Sequence, residues 1–175
     1  MTSPLNLPVT RFLHTLEIVA KEGRHLTYSW KGLFLQIIDV EWVNNLEQNA
    51  SCAEQMEAFV SRFGRMQDTM ADKLLPRWLL ALAETPGSQI ETLNRAERLG
   101  VLTSTEQWLE MRNLRNRLVH EYMTAPAKFA EDLILAKEYS LILIETYNRV
   151  RQDAIMRMGH KKENLPEELS LPEQG

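Results

Sequence analysis

A chain of 175 residues with a single cysteine, Cys52, and a net charge of -4 is long enough to bury its own core and has neither an internal disulfide nor a thiolate metal cage to brace it. The acidic balance excludes a surface coated in positive charge for sequence-independent nucleic-acid binding, so any contact with RNA has to be local. The start, MTSPLNLPVT, lacks a basic region followed by an apolar core, and no run approaches the ~18 apolar residues of a membrane span. A cytoplasmic protein with no membrane partner is expected.

Helical periodicity dominates, and alternating β-branched runs bounded by hairpin turns are absent. The expectation is an all-α fold, an antiparallel helical bundle with additional short helices. Helices are predicted at 8–22, 30–48, 53–74, 88–98, 104–123 and 126–158. Phe12, Leu13, Leu16, Val19 and Ala20 mark the first; Leu33, Phe34, Ile37, Ile38 and Val40 mark the second. Met56, Phe59, Val60, Phe63, Met66 and Met70 form the apolar stripe of the third, with Gln67 inside it and Asp68 and Asp72 to one side. The following stretch, DKLLPRWLLALAE, is apolar on several faces, as a core segment or a dimer surface would be. Gly100 ends the fourth helix, and Thr103 or Ser104 with Glu106 and Gln107 resembles a capping box opening the fifth. Pro126 suits the first turn of the last helix, where its missing N–H is harmless. Residues 1–158 read as one domain, and 159–175, polar and carrying two prolines, as a flexible tail.

The fifth helix carries an unusual set of groups in MRNLRNRLVHEY, Met111 to Tyr122. On a wheel of about 100° per residue, Met111, Leu114, Leu118, Val119 and Tyr122 share an apolar sector with Arg115 near its middle. A guanidinium does not give up its charge, so it needs a carboxylate, a phosphate or a wet cleft. Arg112, Asn116 and His120 form a stripe on the flank, and Arg117 and Glu121 point to the opposite side. Arg115 and His120 lie about 140° apart on a regular helix, so one site can hold both only through the reach of Arg115, a helix end, or a second copy of the helix. Buried Gln67 on the third helix is a polar counterpart of suitable type for Arg115. An internal ion pair explains an arginine in an apolar face equally well, so periodicity alone assigns no function.

At these residues the chain resembles the HepT-like, nucleotidyltransferase-associated toxins of the HEPN group. RNRLVHEY carries the R-x4-H-x-Y signature at Arg115, His120 and Tyr122, with Asn116 after the arginine; VSRFGRMQDTMADKLLP and LNRAERLGVLTSTEQWLE extend the resemblance over about residues 7–158. It implies a homodimer whose two motif helices line a shared cleft and a metal-independent endoribonuclease acting on tRNA or mRNA. It also implies a minimal nucleotidyltransferase as antitoxin partner, and no cofactor. Carried over by position, Arg115 and His120 are catalytic, Asn116 supports them, and Tyr122 accepts the AMP groups that silence the toxin. Arg112 and Arg117 are candidates for RNA contact or support. The alternative is a noncatalytic subunit that binds nucleotide or substrate for a nucleotidyltransferase. The four histidines and lone cysteine form no H-E-x-x-H or similar ligand set, and no phosphate-binding G-x-x-x-x-G-K-[ST] loop is present.

Overall fold

The computed structural model describes residues 7–171; residues 1–6 of the expected domain and 172–175 of the expected tail lie outside them. Helix α1, Leu7–Leu33, buries Phe12, Leu16, Val19, Leu26, Trp30 and Leu33 along one side. It runs straight through the break expected between residues 22 and 30. Gly23 lies on its inner face because a Cβ there would collide with Leu169, so this glycine serves close packing and not chain reversal.

The helix expected over 30–48 is replaced by three pieces. After α1 ends, the Asp39 side chain accepts a hydrogen bond from the Trp42 amide at 2.8 Å and opens α2, Val40–Asn44. A 3-10 turn at Asn45–Gln48 follows, and the Asn49 side chain accepts from the Cys52 amide to open α3, Ala50–Thr69. Two caps of this kind cut a continuous apolar pattern into separate elements, since each offers the first amides a partner they lack inside a helix.

The chain continues from α3 through a π turn, Met70–Leu74, into α4, Leu75–Ala81. Pro76 accounts for the wider turn: it has no N–H for the carbonyl four residues back, and its ring crowds that carbonyl. The Leu75 amide accordingly reaches back five residues to the Met70 carbonyl. Leu74, Leu75, Trp78 and Leu79 are fully buried, so this segment is core. The Trp78 indole donates to Asp153 Oδ2 at 2.7 Å, anchoring the core with a polar bond.

Helix α5, Gln89–Arg98, opens on a reciprocal capping box between Ser88 and Glu91. It closes at Gly100, φ 86°, with the Val101 amide bonded to Ala96 O and the Gly100 amide to Glu97 O, a glycine-terminated helix end. Ser104 then accepts from the Gln107 amide and opens α6, Thr105–Glu121; Pro126 stands in the first turn of α7, Pro126–Met156. In this all-α bundle α1 packs along α3 and α4, α7 along α6, and α6 also touches α3. Among the described residues no helix is long and apolar enough to cross a membrane.

The flexible tail expected from residue 159 is not what the described part of it forms. Beyond a short 3-10 turn at Lys162–Asn164, the chain lies extended against the bundle with Leu165 and Leu169 buried. Asn148 brackets Leu169 by donating to its carbonyl at 2.8 Å and accepting from its amide at 3.0 Å; Tyr147 donates to the Glu167 carbonyl and Arg151 to that of Pro166. An extended strap bonded through its backbone carries no helical period, which is why its leucines read as a tail. Leu169→Ala is expected to lower stability by about 2 kcal/mol, the low end for a buried leucine, and thermal unfolding to fall by roughly 4–8 °C. An unchanged midpoint would mean the strap is not docked.

Candidate functional site

Arg115 meets the carboxylate its position demands. Its guanidinium forms a two-pronged ion pair with Asp68 of α3, Nη2 to Oδ2 at 2.8 Å and Nη1 to Oδ1 at 3.1 Å. Its stem lies across Gly64: a Cβ on that residue would stand 2.7 Å from Arg115 Nε and 3.2 Å from Cγ. Gln67, the counterpart expected from the sequence, is 2% exposed and leaves both amide atoms unbonded. Asp68, one position further round α3, takes the arginine instead. The paired side chains keep 35% and 44% of their surface, so water screens the pair and its contribution to stability is small. What it fixes is the direction of the guanidinium.

Arg115 and Asp68 stand between two cavities. One, a groove of about 500 Å³ between α3 and α6, is walled by Met56, Val60, Leu118, Val119 and Tyr122. The other, about 250 Å³ and mostly polar, is bounded by Gln67, Arg112, Asn116, Gln89 and Trp108. Tyr122 caps the end of α6 with its ring tilted against Phe129 at 5.4 Å. Burial, and then the Glu57 and Glu47 carboxylates, push its hydroxyl above the ordinary phenol range, so it stays a neutral phenol.

The structure therefore gathers Arg115 with Tyr122 in one groove, and Arg115 with Asn116 and Arg112 in the other. It does not gather His120, which is exposed and lines neither. The separation is the one expected from the helical wheel. Val119, placed by the wheel among the packed residues, is 63% exposed, and Met123 beyond it is 81% exposed.

Arg117 is engaged within the bundle while about a third of its side chain stays exposed. It grips Asp132 of α7 with two bonds, Nε to Oδ2 at 3.0 Å and Nη2 to Oδ1 at 3.1 Å, and Lys128 Nζ lies 3.5 Å from the same carboxylate. Burial alone would raise the Asp132 pKa, but bonding to Arg117 and its neighbours brings it below the usual carboxylate value. Glu121 moves the other way: burial, and then the Asp132 carboxylate, hold it above its usual range, and one of its oxygens is buried without a partner. This cluster pins the end of α6 that carries His120 and Tyr122 to the start of α7. Sequence reasoning missed Asp132 and Gly64. Asp132 had a signal, a charge inside the stripe of Phe129, Leu133 and Ala136, whereas Gly64 had none.

Comparison of the chain with family models, curated proteins and solved structures finds no match.

The cluster sets two opposed pH dependences. Asp132, with a lowered folded pKa, stabilises above its unfolded value near 4 and loses that effect as pH falls through the folded value. Asp132→Asn is expected to lose about 2 kcal/mol at pH 7, less than the 3–5 for breaking a fully buried pair because Arg117 is partly solvated, with the deficit shrinking in acid. Glu121, with a raised folded pKa, opposes folding once ionised, so Glu121→Gln gains stability at pH 7 and loses the advantage below about pH 4. Urea titrations of both variants across pH check the two signs. Gly64→Ala supplies a third test: alanine favours the helix by about 0.5–1 kcal/mol but displaces the Arg115 stem, so stability holds while any activity dependent on Arg115 falls.

Proposed function

We propose that this chain is a HepT-like endoribonuclease of a toxin–antitoxin pair, cleaving RNA without a metal ion at a site built on Arg115, Asn116 and His120. The observation that carries the reading is the guanidinium of Arg115, held in a fixed direction at the mouth of a groove while a solvent-exposed imidazole stands on the same helix. RNA brings its own nucleophile: the 2′-oxygen attacks phosphorus, the bond to the 5′-oxygen breaks, and a 2′,3′-cyclic phosphate and a 5′-hydroxyl result. The imidazole takes the 2′-hydroxyl proton or supplies one to the leaving oxygen near neutral pH. Arg115 offers forked donors to the non-bridging oxygens as charge accumulates, and Asn116 orients them.

Because His120 faces away from the cavities that Arg115 lines, the productive pairing is between Arg115 of one copy and His120 of a second. The exposed Val119 and Met123 beside His120 give such a homodimer an apolar contact. Tyr122 is the acceptor for AMP groups from a partner nucleotidyltransferase, which place bulk and negative charge beside the site and repel RNA. Burial keeps its hydroxyl a neutral phenol at neutral pH, so transfer needs a base to take the proton as the oxygen attacks.

In a chelator, wild type is expected to cleave RNA, and His120→Ala and Arg115→Ala each to lose about 100-fold or more with circular dichroism unchanged. Intact-mass analysis with the cognate transferase is expected to show AMP increments on wild type and none on Tyr122→Phe. Full activity of His120→Ala removes it from the mechanism. A second reading, a noncatalytic nucleotide-binding subunit of a nucleotidyltransferase, is favoured by one observation, that Asp68 already occupies the Arg115 guanidinium. An inactive wild type that binds a nucleotidyltransferase only with nucleotide present would select it.

A further inference from the structure

Helix α1 turns toward solvent a strip of positive charge with an aromatic ring at its centre. On a wheel of about 100° per residue, Lys21, Arg24, Lys31 and Leu35 fall within about 60° of Tyr28. All are exposed, Tyr28 at 78%. Between Glu22 and Asp39 the chain carries Arg24, His25 and Lys31 and no aspartate or glutamate. Arg62 of α3 stands on the opposite flank of the ring from Arg24 and Lys31, its Nη1 donating to Ser29 Oγ at 2.7 Å and to the His25 carbonyl at 3.2 Å. Neutral oxygens thus fix this guanidinium and leave its charge unmatched. Among the described residues no ion pair engages Lys21, Arg24, Lys31 or Arg62, whereas Arg115 and Arg117 are each bound to a carboxylate.

A groove of about 390 Å³ lies between α1 and α3 along this strip, within the roughly 300–1,000 Å³ of small-molecule sites. Its floor is made of small residues, Ser29, Gly32 and Ala58, because the two helices run close there: a Cβ on Gly32 would stand 2.9 Å from Gln55 Nε2. Tyr28 and Leu35 form its edge, Lys31 and Arg62 are its charged groups, and no carboxylate lines it. Both cavities beside Arg115 hold as many carboxylates as arginines. On α3, Glu54 and Glu57 are exposed but do not line this groove, and Glu17, one turn before Lys21, ends the strip. In a chain of net charge -4, the positive charge around Tyr28 is local and unneutralised.

We infer that this groove is a binding surface for single-stranded RNA, in which one base stacks on Tyr28 and neighbouring phosphates meet Arg24, Lys31 and Arg62. Proteins that hold single strands combine a cationic groove with aromatic side chains on which bases stack. An acidic protein segment would match the charges, but it brings no flat surface to the bare ring between them. The bases of a duplex are stacked within it and do not reach that ring. Arg62 lines this groove, and Arg65, one turn along α3, lines the groove that Arg115 borders, so a strand held here continues across α3 toward Arg115. That the strand is RNA and is cut there rests on the proposed ribonuclease activity; its capture here does not.

The test is fluorescence anisotropy of a labelled 2′-O-methyl oligoadenylate, which lacks the free 2′-hydroxyl needed for cleavage, titrated with the full chain over a range of salt. Wild type is expected to bind, with the logarithm of affinity falling linearly in the logarithm of salt. Tyr28→Ala, at an exposed position, is expected to fold and to bind about tenfold or more weakly with the salt slope unchanged. Lys31→Gln is expected to weaken binding and to flatten the slope by about 0.7, the counterion release of one single-strand phosphate contact. No binding by wild type, or undiminished binding by both variants, overturns the assignment. So does displacement of the strand by polyglutamate or by phosphatidylserine vesicles as readily as by unlabelled oligoadenylate of equal charge, which would make the face one for an acidic protein or a membrane. Tyr28-dependent binding without RNA cleavage retains the surface and rejects the ribonuclease. Cleavage with binding that ignores Tyr28 does the reverse.

Discussion

The contact between α3 and α6 has to accommodate a guanidinium that stays charged at any pH the fold survives. Arg115 sits among the residues with which α6 packs, about a third of its side chain exposed, so its forked donors need an acceptor that the apolar neighbours do not supply. Three features of α3 resolve the conflict together. Gly64 yields the space for the stem, Asp68 supplies the carboxylate, and the helices part enough on either side of the pair to leave two cavities. The screened ion pair adds little to stability. Its effect is geometric, since a two-pronged bond holds a long side chain in one direction.

The remaining charged groups of the motif helix divide the work. Arg117, facing α7, joins Asp132 and Lys128 in a partly buried cluster that fixes the end of α6, while His120 and Asn116 are free of structural duties in the bundle. On the proposed reading, a helix that commits Arg117 to its scaffold and leaves an imidazole in water can offer groups for proton transfer and phosphate binding without disturbing the core.

The fold was largely legible because the rules that shape it act locally. Gly100, Ser104 and Pro126 punctuate the chain as their backbone chemistry requires, and the need of Arg115 for a carboxylate follows from its place on the wheel. What escaped the sequence was non-local. The gap expected between residues 22 and 30 is helical, with Gly23 packed against Leu169 from 146 positions away in the chain, and Leu165 and Leu169 look unpatterned because an extended strap has no helical period. Asp39 cuts the expected second helix through a cap that competes with a strong apolar pattern, and Asn49 opens the third helix ahead of its expected start at residue 53. At the site, the choice of Asp68 over Gln67 depended on the reach of an arginine and on how α3 and α6 face each other, which a wheel of either helix alone does not contain.

The central claim is that Arg115 and His120 act together although one chain points them apart. Mixing Arg115→Ala protein with His120→Ala protein, each inactive alone, and allowing subunits to exchange tests it directly. In a mixed dimer one of the two shared sites carries both intact groups and the other neither. The account predicts that RNA cleavage reappears on mixing, approaching half the wild-type rate per mixed dimer. Mixed dimers that form and stay inactive would contradict it.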